Sequence, residues 1–139
     1  MIIHYLATAN IPSKSANSLQ IVKMCDAFVS LGHEVKLIAP NLTTINQSIR
    51  DYYDLKNYFK IIKIGNKIKY LTGLKNFVIP MLIVLRSLKE DKKAIYITRN
   101  LIISFFLIIF RKKHIFEIHD DINSFGNKIS TLYSKLNFL

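Results

Sequence analysis

The sequence is short of cysteine and glycine, and both shortages exclude classes of protein. Cys25 is the only cysteine among 139 residues, so no internal disulfide can form. A reducing cytoplasm is therefore the simpler compartment. Cys25 falls at a core-like position of a helical pattern, which predicts a buried and unreactive thiol. No glycine precedes Gly32, so the first loop lacks the Gly-x-Gly-x-x-Gly pattern that a dinucleotide-dependent oxidoreductase needs.

Long uncharged runs are also missing. Uncharged runs in the apolar regions, such as 76–85 and 100–110, are well short of the roughly 20 residues of a membrane-spanning helix. The first fifteen residues place no basic side chain before their short apolar run, which argues against a secretory signal. A Gly-x-Ser-x-Gly elbow is absent, which disfavours a serine hydrolase. We expect a cytoplasmic protein, or one that is peripheral at the inner face of the membrane.

Acidic residues are scarce relative to basic ones. Twenty Lys and Arg against nine Asp and Glu give a net charge of +11, which favours anionic lipid, phosphorylated substrates or nucleic acid as partners. No RNP-like, helix-turn-helix or zinc pattern is present, so nucleic acid is not expected. If clustered in space, the cations would form a footprint for an anionic membrane; a solvated surface is the equally good alternative. The cations are Lys56, Lys60, Lys63, Lys67, Lys69, Lys75 and Arg111 to Lys113. In a membrane-bound protein the aromatic residues of the same region would enter the lipid interface, namely Tyr52, Tyr53, Tyr58 and Phe59.

Strand and helix patterns alternate along the chain. This order predicts parallel strands and a single doubly wound α/β domain with a Rossmann-like sheet. The segment 41–60 has no clean period and predicts a loop with an irregular helix. Strands are predicted at 1–7, 33–40, 60–65, 94–98 and 113–119, and helices from 19 to the Gly32 cap, over 74–88, over 101–110 and within the last stretch near 129–136.

Two helices carry more specific predictions. In the first, an apolar stripe should face the core, with the polar residues between its members facing solvent. In the second, Pro80 should kink the helix or mark its start. The stripe consists of Leu19, Val22, Cys25, Phe28 and Val29. The residues predicted to face solvent are Gln20, Lys23, Asp26 and Ser30.

Polar residues follow three of the predicted strands, in the segments 8–18, 99–100 and 117–121. In open parallel sheets ligands bind beyond the carboxyl ends of the strands, so these segments should share one edge and one crevice. Glu117 and His119 would lie on the same face of their strand. Capping of the next helix by His119 and Asp120 is the alternative to ligand contact. A metal site lacks further ligands, so none is predicted.

Three segments in register resemble the N-terminal domain of retaining, GT-B-type glycosyltransferases of family 4. They are "ANSLQIVKMCDAFVSLGHEVKLIAP" at 16–40, "AIYITRN" at 94–100 and "FEIHD" at 116–120. The resemblance covers residues 1 to about 121. It implies that this chain is the acceptor-side half of a GT-B fold, a truncated piece from which the donor-binding C-terminal domain is absent. The first loop departs from the family because small residues, not a glycine pair, occupy it.

The resemblance also implies roles for individual residues. His119 would lie over the donor sugar as the catalytic residue, and the loop of Ser15, Ala16, Asn17 and Ser18 would lie by the donor phosphates or the acceptor. Arg99 and Asp120 would line the same cleft. His33 and Glu34 follow a capping glycine at the opposite end of the sheet and are left out of the site.

The activity implied is hexosyl transfer from a nucleotide-sugar to a glycan or lipid-linked acceptor in cell-envelope polysaccharide synthesis. No cofactor is expected. The missing domain would be supplied by the same gene or by a separate chain, and this fragment alone should not turn over. The alternative is a basic, non-catalytic α/β module that binds nucleic acid or an anionic membrane.

Overall fold

A computed structural model describes residues 1–41, 45, 47–65, 75–91 and 93–118. Strands and helices alternate through this part of the chain, as the sequence predicts. The strands are β1 (Ile2–Leu6), β2 (Glu34–Pro40), β3 (Lys60–Ile64), β4 (Ile95–Thr98) and β5 (His114–Phe116). The helices are α1 (Ala16–Ser30), α2 (Ile49–Tyr53), α3 (Lys75–Glu90) and α4 (Leu101–Ile109).

The five strands form one sheet in the order β3-β2-β1-β4-β5, and every pair is parallel. The register places Tyr5 opposite Leu37 on one side and Ile97 on the other. The chain adds β2 and β3 on one side of β1, and then β4 and β5 on the other side. Because crossovers between parallel strands are almost always right-handed, this reversal places α3 and α4 on the face of the sheet opposite α1 and α2. The predicted Rossmann-like α/β fold is confirmed.

Two apolar cores lie on opposite faces of the sheet. Alternate residues of β1 separate them, because successive side chains of a strand point to opposite faces. Tyr5 belongs to the core under α1 and α2, and Leu6 to the core under α3 and α4. Each core therefore fixes the position of two helices over the sheet.

The first helix starts earlier and is rotated from the predicted stripe. Ser15 is its N-cap and accepts a hydrogen bond from the Ser18 amide. Leu19 is 46% exposed, whereas Asp26, predicted to face solvent, is buried. The Asp26 carboxylate accepts hydrogen bonds from the Asn57 amide at 2.9 Å and the Lys56 amide at 3.5 Å. The predicted stripe was therefore wrong at Leu19 and at Asp26, and Asp26 can be buried because loop amides satisfy its carboxylate.

Local features elsewhere match the sequence more closely. Gly32 has φ of 82° and ends α1, as predicted. Pro80 lies inside α3 and does not mark its start. Cys25 is buried, and burial raises the pKa of its thiol. The strand β5 ends at Phe116, earlier than predicted, and the predicted helix near 129–136 lies outside the described residues.

Candidate functional site at the carboxyl ends of the strands

The ends of β1, β4 and β5 meet at one edge of the sheet. Buried Thr98 at the end of β4 donates its hydroxyl to the Leu6 carbonyl of β1 at 2.9 Å. On its other side, the Glu117 amide donates to the Thr98 carbonyl at 2.9 Å. Asn100 caps α4 through its side-chain oxygen and donates its side-chain amide to Thr8 at 3.3 Å. The predicted shared edge is therefore confirmed for the ends of these three strands, and residues 119–121 of the third segment lie outside the described residues.

Arg99 and Glu117 form a two-point ion pair across the ends of β4 and β5. Arg99 Nε lies 2.9 Å from Glu117 Oε2, and Nη2 lies 2.7 Å from Oε1. The side chains are only 13% and 27% exposed, respectively. The parallel geometry and partial burial make this pair stronger than an ordinary surface ion pair. The Glu117 hydrogen bonds raise the pKa of Arg99, so the guanidinium stays charged.

The same guanidinium reaches the first turns of α1. Arg99 Nη1 donates to Gln20 Oε1 at 2.9 Å and to Asn17 Oδ1 at 3.4 Å. Asn17 and Gln20 are three residues apart, so they present their side chains from one side of the helix. Arg99 thus connects the end of β4, the end of β5 and the start of α1.

Tyr5 of β1 also belongs to the network of Arg99 and Glu117. Its hydroxyl donates to Glu117 Oε2 at 3.1 Å. Burial is the main cause that raises the pKa of Tyr5, so the phenol stays a neutral donor throughout the physiological range. The carboxylate of Glu117 therefore receives hydrogen bonds from two different strands.

A cavity of about 170 Å³ opens beside this network. It is smaller than the roughly 300–1,000 Å³ of typical small-molecule pockets. It can therefore hold part of a polar ligand, such as a few hydroxyl groups. Its lining residues are Tyr5, Leu6, Ala7, Thr8, Ala9, Asn17, Ile21, Arg99 and Asn100.

The loop between β1 and α1 is held by serine hydroxyls and a tyrosine. Ser15 Oγ and Ser18 Oγ lie 2.7 Å apart, and Ser13 Oγ lies 2.7 Å from Ser18 Oγ. Ser18 is buried and donates to the Asn10 carbonyl at 2.8 Å. Tyr53 of α2 donates to the Ser13 carbonyl at 2.8 Å and accepts from the Ser13 amide at 2.7 Å. These hydroxyls fix the loop and the first turn of α1.

The predicted site residues have different outcomes. Asn17 and Arg99 lie together at the cavity, as expected from a shared crevice. Ser15 and Ser18 belong to the neighbouring hydroxyl cluster, and Ala16 is exposed at the start of α1, outside the cavity lining. His119 and Asp120, which include the predicted catalytic residue, lie outside the described residues.

Sequence reasoning missed several members of this network. Glu117 was noted at the strand end but was not assigned to the site, although a carboxylate beside a buried strand requires a partner. Gln20 shares a helix side with Asn17, which was a usable signal. Tyr5 gave none, because it lies within an apolar run and reads as core. Thr8 and Asn100 lay within the predicted strand-end segments but were not assigned to the site as individual residues.

Two negative results concern only the residues that the structure describes. Among them, no group of three or more His, Cys, Asp or Glu is arranged to hold a metal ion. None of their helices combines the length and apolar character that a bilayer crossing demands. His33 and Glu34 lie where β2 begins, at the opposite edge from the cavity, as predicted.

Comparison with known proteins gives no assignment: no family model matches the chain, and neither a curated protein nor a solved structure matches it.

Proposed function

We propose that this chain is the acceptor-side half of a retaining GT-B-type glycosyltransferase, which transfers a hexose from a nucleotide-sugar to a glycan or glycolipid. The observation that carries the proposal is the Arg99–Glu117 pair, which joins two strand ends to the start of α1 beside a polar cavity. It supports the shared crevice that the sequence resemblance requires. The resemblance itself remains the basis for the reaction and the substrate class.

The charges of the network favour hydroxyl groups as its ligands. Arg99 is neutralised by Glu117, and its Nη1 is shared by two side-chain amides. Carboxylate oxygens accept hydrogen bonds from sugar hydroxyls, and side-chain amides both accept and donate such bonds. A neutralised guanidinium binds phosphate less well than a free one. We therefore assign this wall of the crevice to the sugar or acceptor, with the donor phosphates nearer the second domain of the GT-B fold.

Positioning is the contribution that such a wall makes to transfer. Holding the acceptor hydroxyl and the donor carbon in a reactive arrangement lowers the barrier without any covalent role for the protein. Departure of the nucleoside diphosphate develops negative charge, which cations and amide N–H groups stabilise. In this proposal His119 hydrogen-bonds a donor-sugar hydroxyl and the second domain carries the phosphate-binding cations.

Nuclear magnetic resonance titration of the 139-residue chain tests the assignment. Hexoses, short glycans and nucleotide-hexoses are added separately while the side-chain signals of Asn17, Gln20 and Arg99 are followed. We expect glycans to shift these signals. The Asn57 side-chain amide is the internal control, because it is held by Asp26 away from the cavity. Unchanged signals with every sugar at millimolar concentration would refute the assignment, and salt-sensitive binding of RNA or DNA instead would favour the nucleic-acid module.

A further inference from the structure

The outer side of α4 is apolar where a surface helix is normally polar. The helix contains no charged residue between Leu101 and Ile109. Its inner side is buried in the core through Ile103 and Leu107. On the outer side, however, Phe105 is 49% exposed and Ile109 is 55% exposed. Helices that are apolar all round are usually covered on all sides, and the described residues leave this side uncovered.

The apolar surface continues into a turn that carries three cations. Phe110 is partly exposed and is followed by Arg111, Lys112 and Lys113. In the part of the chain that the structure describes, none of these three cations forms an ion pair. We call Phe105, Ile109, Phe110, Arg111, Lys112 and Lys113 together the α4 patch.

The turn at the end of the α4 patch is held by backbone hydrogen bonds. The Arg111 amide donates to the Ile108 carbonyl at 2.8 Å, and the Lys112 amide donates to the Leu107 carbonyl at 2.8 Å. These two bonds form the Schellman motif that commonly ends a helix. The cations are therefore presented from a defined turn beside the exposed apolar side chains.

Neighbouring charges do not neutralise this end of the molecule. The helices α3 and α4 both end at the edge where the strands begin, so exposed Arg86 and Lys89 lie at the same end as the α4 patch. Glu90 is an acid there, but it is already paired with Lys36, Lys60 and Arg86 at 3.7, 3.2 and 2.6 Å. This edge consequently keeps an excess of positive charge.

We propose that the α4 patch docks on the surface of an anionic lipid membrane. Apolar side chains beside a cluster of cations fit the boundary between acyl chains and anionic headgroups. A second copy of the chain is a poorer occupant, because it carries the same net charge of +11. The segment 119–139 fits the cations no better, because Asp120 and Asp121 are balanced by Lys128 and Lys135.

The α4 patch shares Arg111, Lys112 and Lys113 with the membrane surface that the sequence suggested, but not its aromatic residues. Tyr53 and Phe59, which were expected to enter the lipid interface, are buried in the core. Tyr58 remains 82% exposed, but it is a single side chain in its loop. The inference also does not depend on the proposed function, because the α4 patch and the cavity share no residue.

Vesicle flotation tests the proposal with the 139-residue chain. The chain is mixed with phosphatidylcholine vesicles that contain or lack phosphatidylglycerol. We expect flotation only with the anionic vesicles. Since each basic residue near the surface contributes about 1 kcal/mol, the variant R111S/K112S/K113S should lower the partition coefficient on the order of 100-fold. The variant I109S/F110S should lower it as well, because it removes the apolar contact.

Matched variants on other surfaces separate this patch from general charge. K14S/K56S/K63S removes the same charge from exposed positions elsewhere, and Leu31→Ser removes a side chain that is 72% exposed. Both should keep most of the binding. If I109S/F110S fails to fold, the comparison of R111S/K112S/K113S with K14S/K56S/K63S tests the proposal. Equal loss in K14S/K56S/K63S, flotation without phosphatidylglycerol, or no flotation would overturn the proposal. So would a dimer in light scattering that Phe105→Ser dissociates.

Discussion

Replacing Glu117 by glutamine tests whether the ion pair holds the carboxyl edge of the sheet together. The substitution keeps the side-chain shape but replaces one carboxylate oxygen with an amide donor, which then faces an N–H of Arg99. It also leaves the guanidinium, only 13% exposed, without its counter-charge. Hydrogen bonds to charged groups contribute about 1.5–3 kcal/mol, and water reaches this pair, so we expect a loss of about 2 kcal/mol in the free energy of unfolding.

A double-mutant cycle isolates the interaction from the effects of each substitution. Arg99→Met and Glu117→Gln should each destabilise the fold, and the double variant should lose less than the sum by about 1 kcal/mol or more. Urea unfolding followed by circular dichroism at pH 7 measures all four proteins. Glu34→Gln is the control, because Glu34 is 61% exposed and lies 3.7 Å from Lys36, which predicts about 0.5 kcal/mol or less. Additive losses, or a Glu117→Gln effect no larger than the control, would refute the reasoning.

Three further predictions concern stability. Amide hydrogen bonds outweigh the effect of burial and lower the pKa of Asp26. In urea unfolding, Asp26→Asn should therefore be most destabilising at neutral pH. The difference in the free energy of unfolding between the variant and the original protein should shrink below about pH 4 as the carboxylate protonates. Arg111 and Gly32 both end helices at positive φ, 52° and 82°. Arg111→Gly should therefore raise the free energy of unfolding by about 1 kcal/mol, and Gly32→Ala should lower it by about as much. The thermal midpoints should shift in the same two directions, and shifts of the same sign would contradict this. Burial, and then Lys36, lower the pKa of His4, so the fold should lose stability as pH falls below about 6.5, and His4→Phe should remove that loss in the same urea assay.

The succession of elements was predictable because most strands and helices have a strong periodic signal and a clear boundary; α2 is the exception, since it lies in the segment 41–60, which has no clean period. Gly32 supplies such a boundary, and the parallel order follows from the connections. The side of α1 that faces the core was less predictable. Asp26 is buried because loop amides 30 residues away in sequence complete its hydrogen bonds, and no local pattern contains that partner. Rotation of the helix about its axis depends on such distant contacts.

The site was predictable in its position but not in its chemistry. Parallel strands bring their carboxyl ends to one edge, so the nearness of Asn17 and Arg99 follows from topology alone. No sequence pattern indicates that Arg99 pairs with Glu117, because the partner is fixed by how neighbouring strands are staggered. That pairing changes the electrical character of the site: a free arginine would attract phosphate, whereas the paired one presents a nearly neutral hydrogen-bonding surface.

Among the residues that the structure describes, the cations other than Arg99 lie outside the lining of the cavity. Arg99 is the one charged residue among the described lining residues, and Glu117 neutralises Arg99. A phosphate bound here would have to compete with a carboxylate held by three donors. We therefore expect nucleoside diphosphates to bind this chain weakly, and any binding that depends on salt to occur on the cationic surfaces outside the cavity. Titration with a nucleoside diphosphate at low and high salt checks this: strong, salt-dependent shifts of the Arg99 and Asn17 side-chain signals would mean that the pair opens for phosphate, and the assignment of this wall to sugar hydroxyls would be wrong.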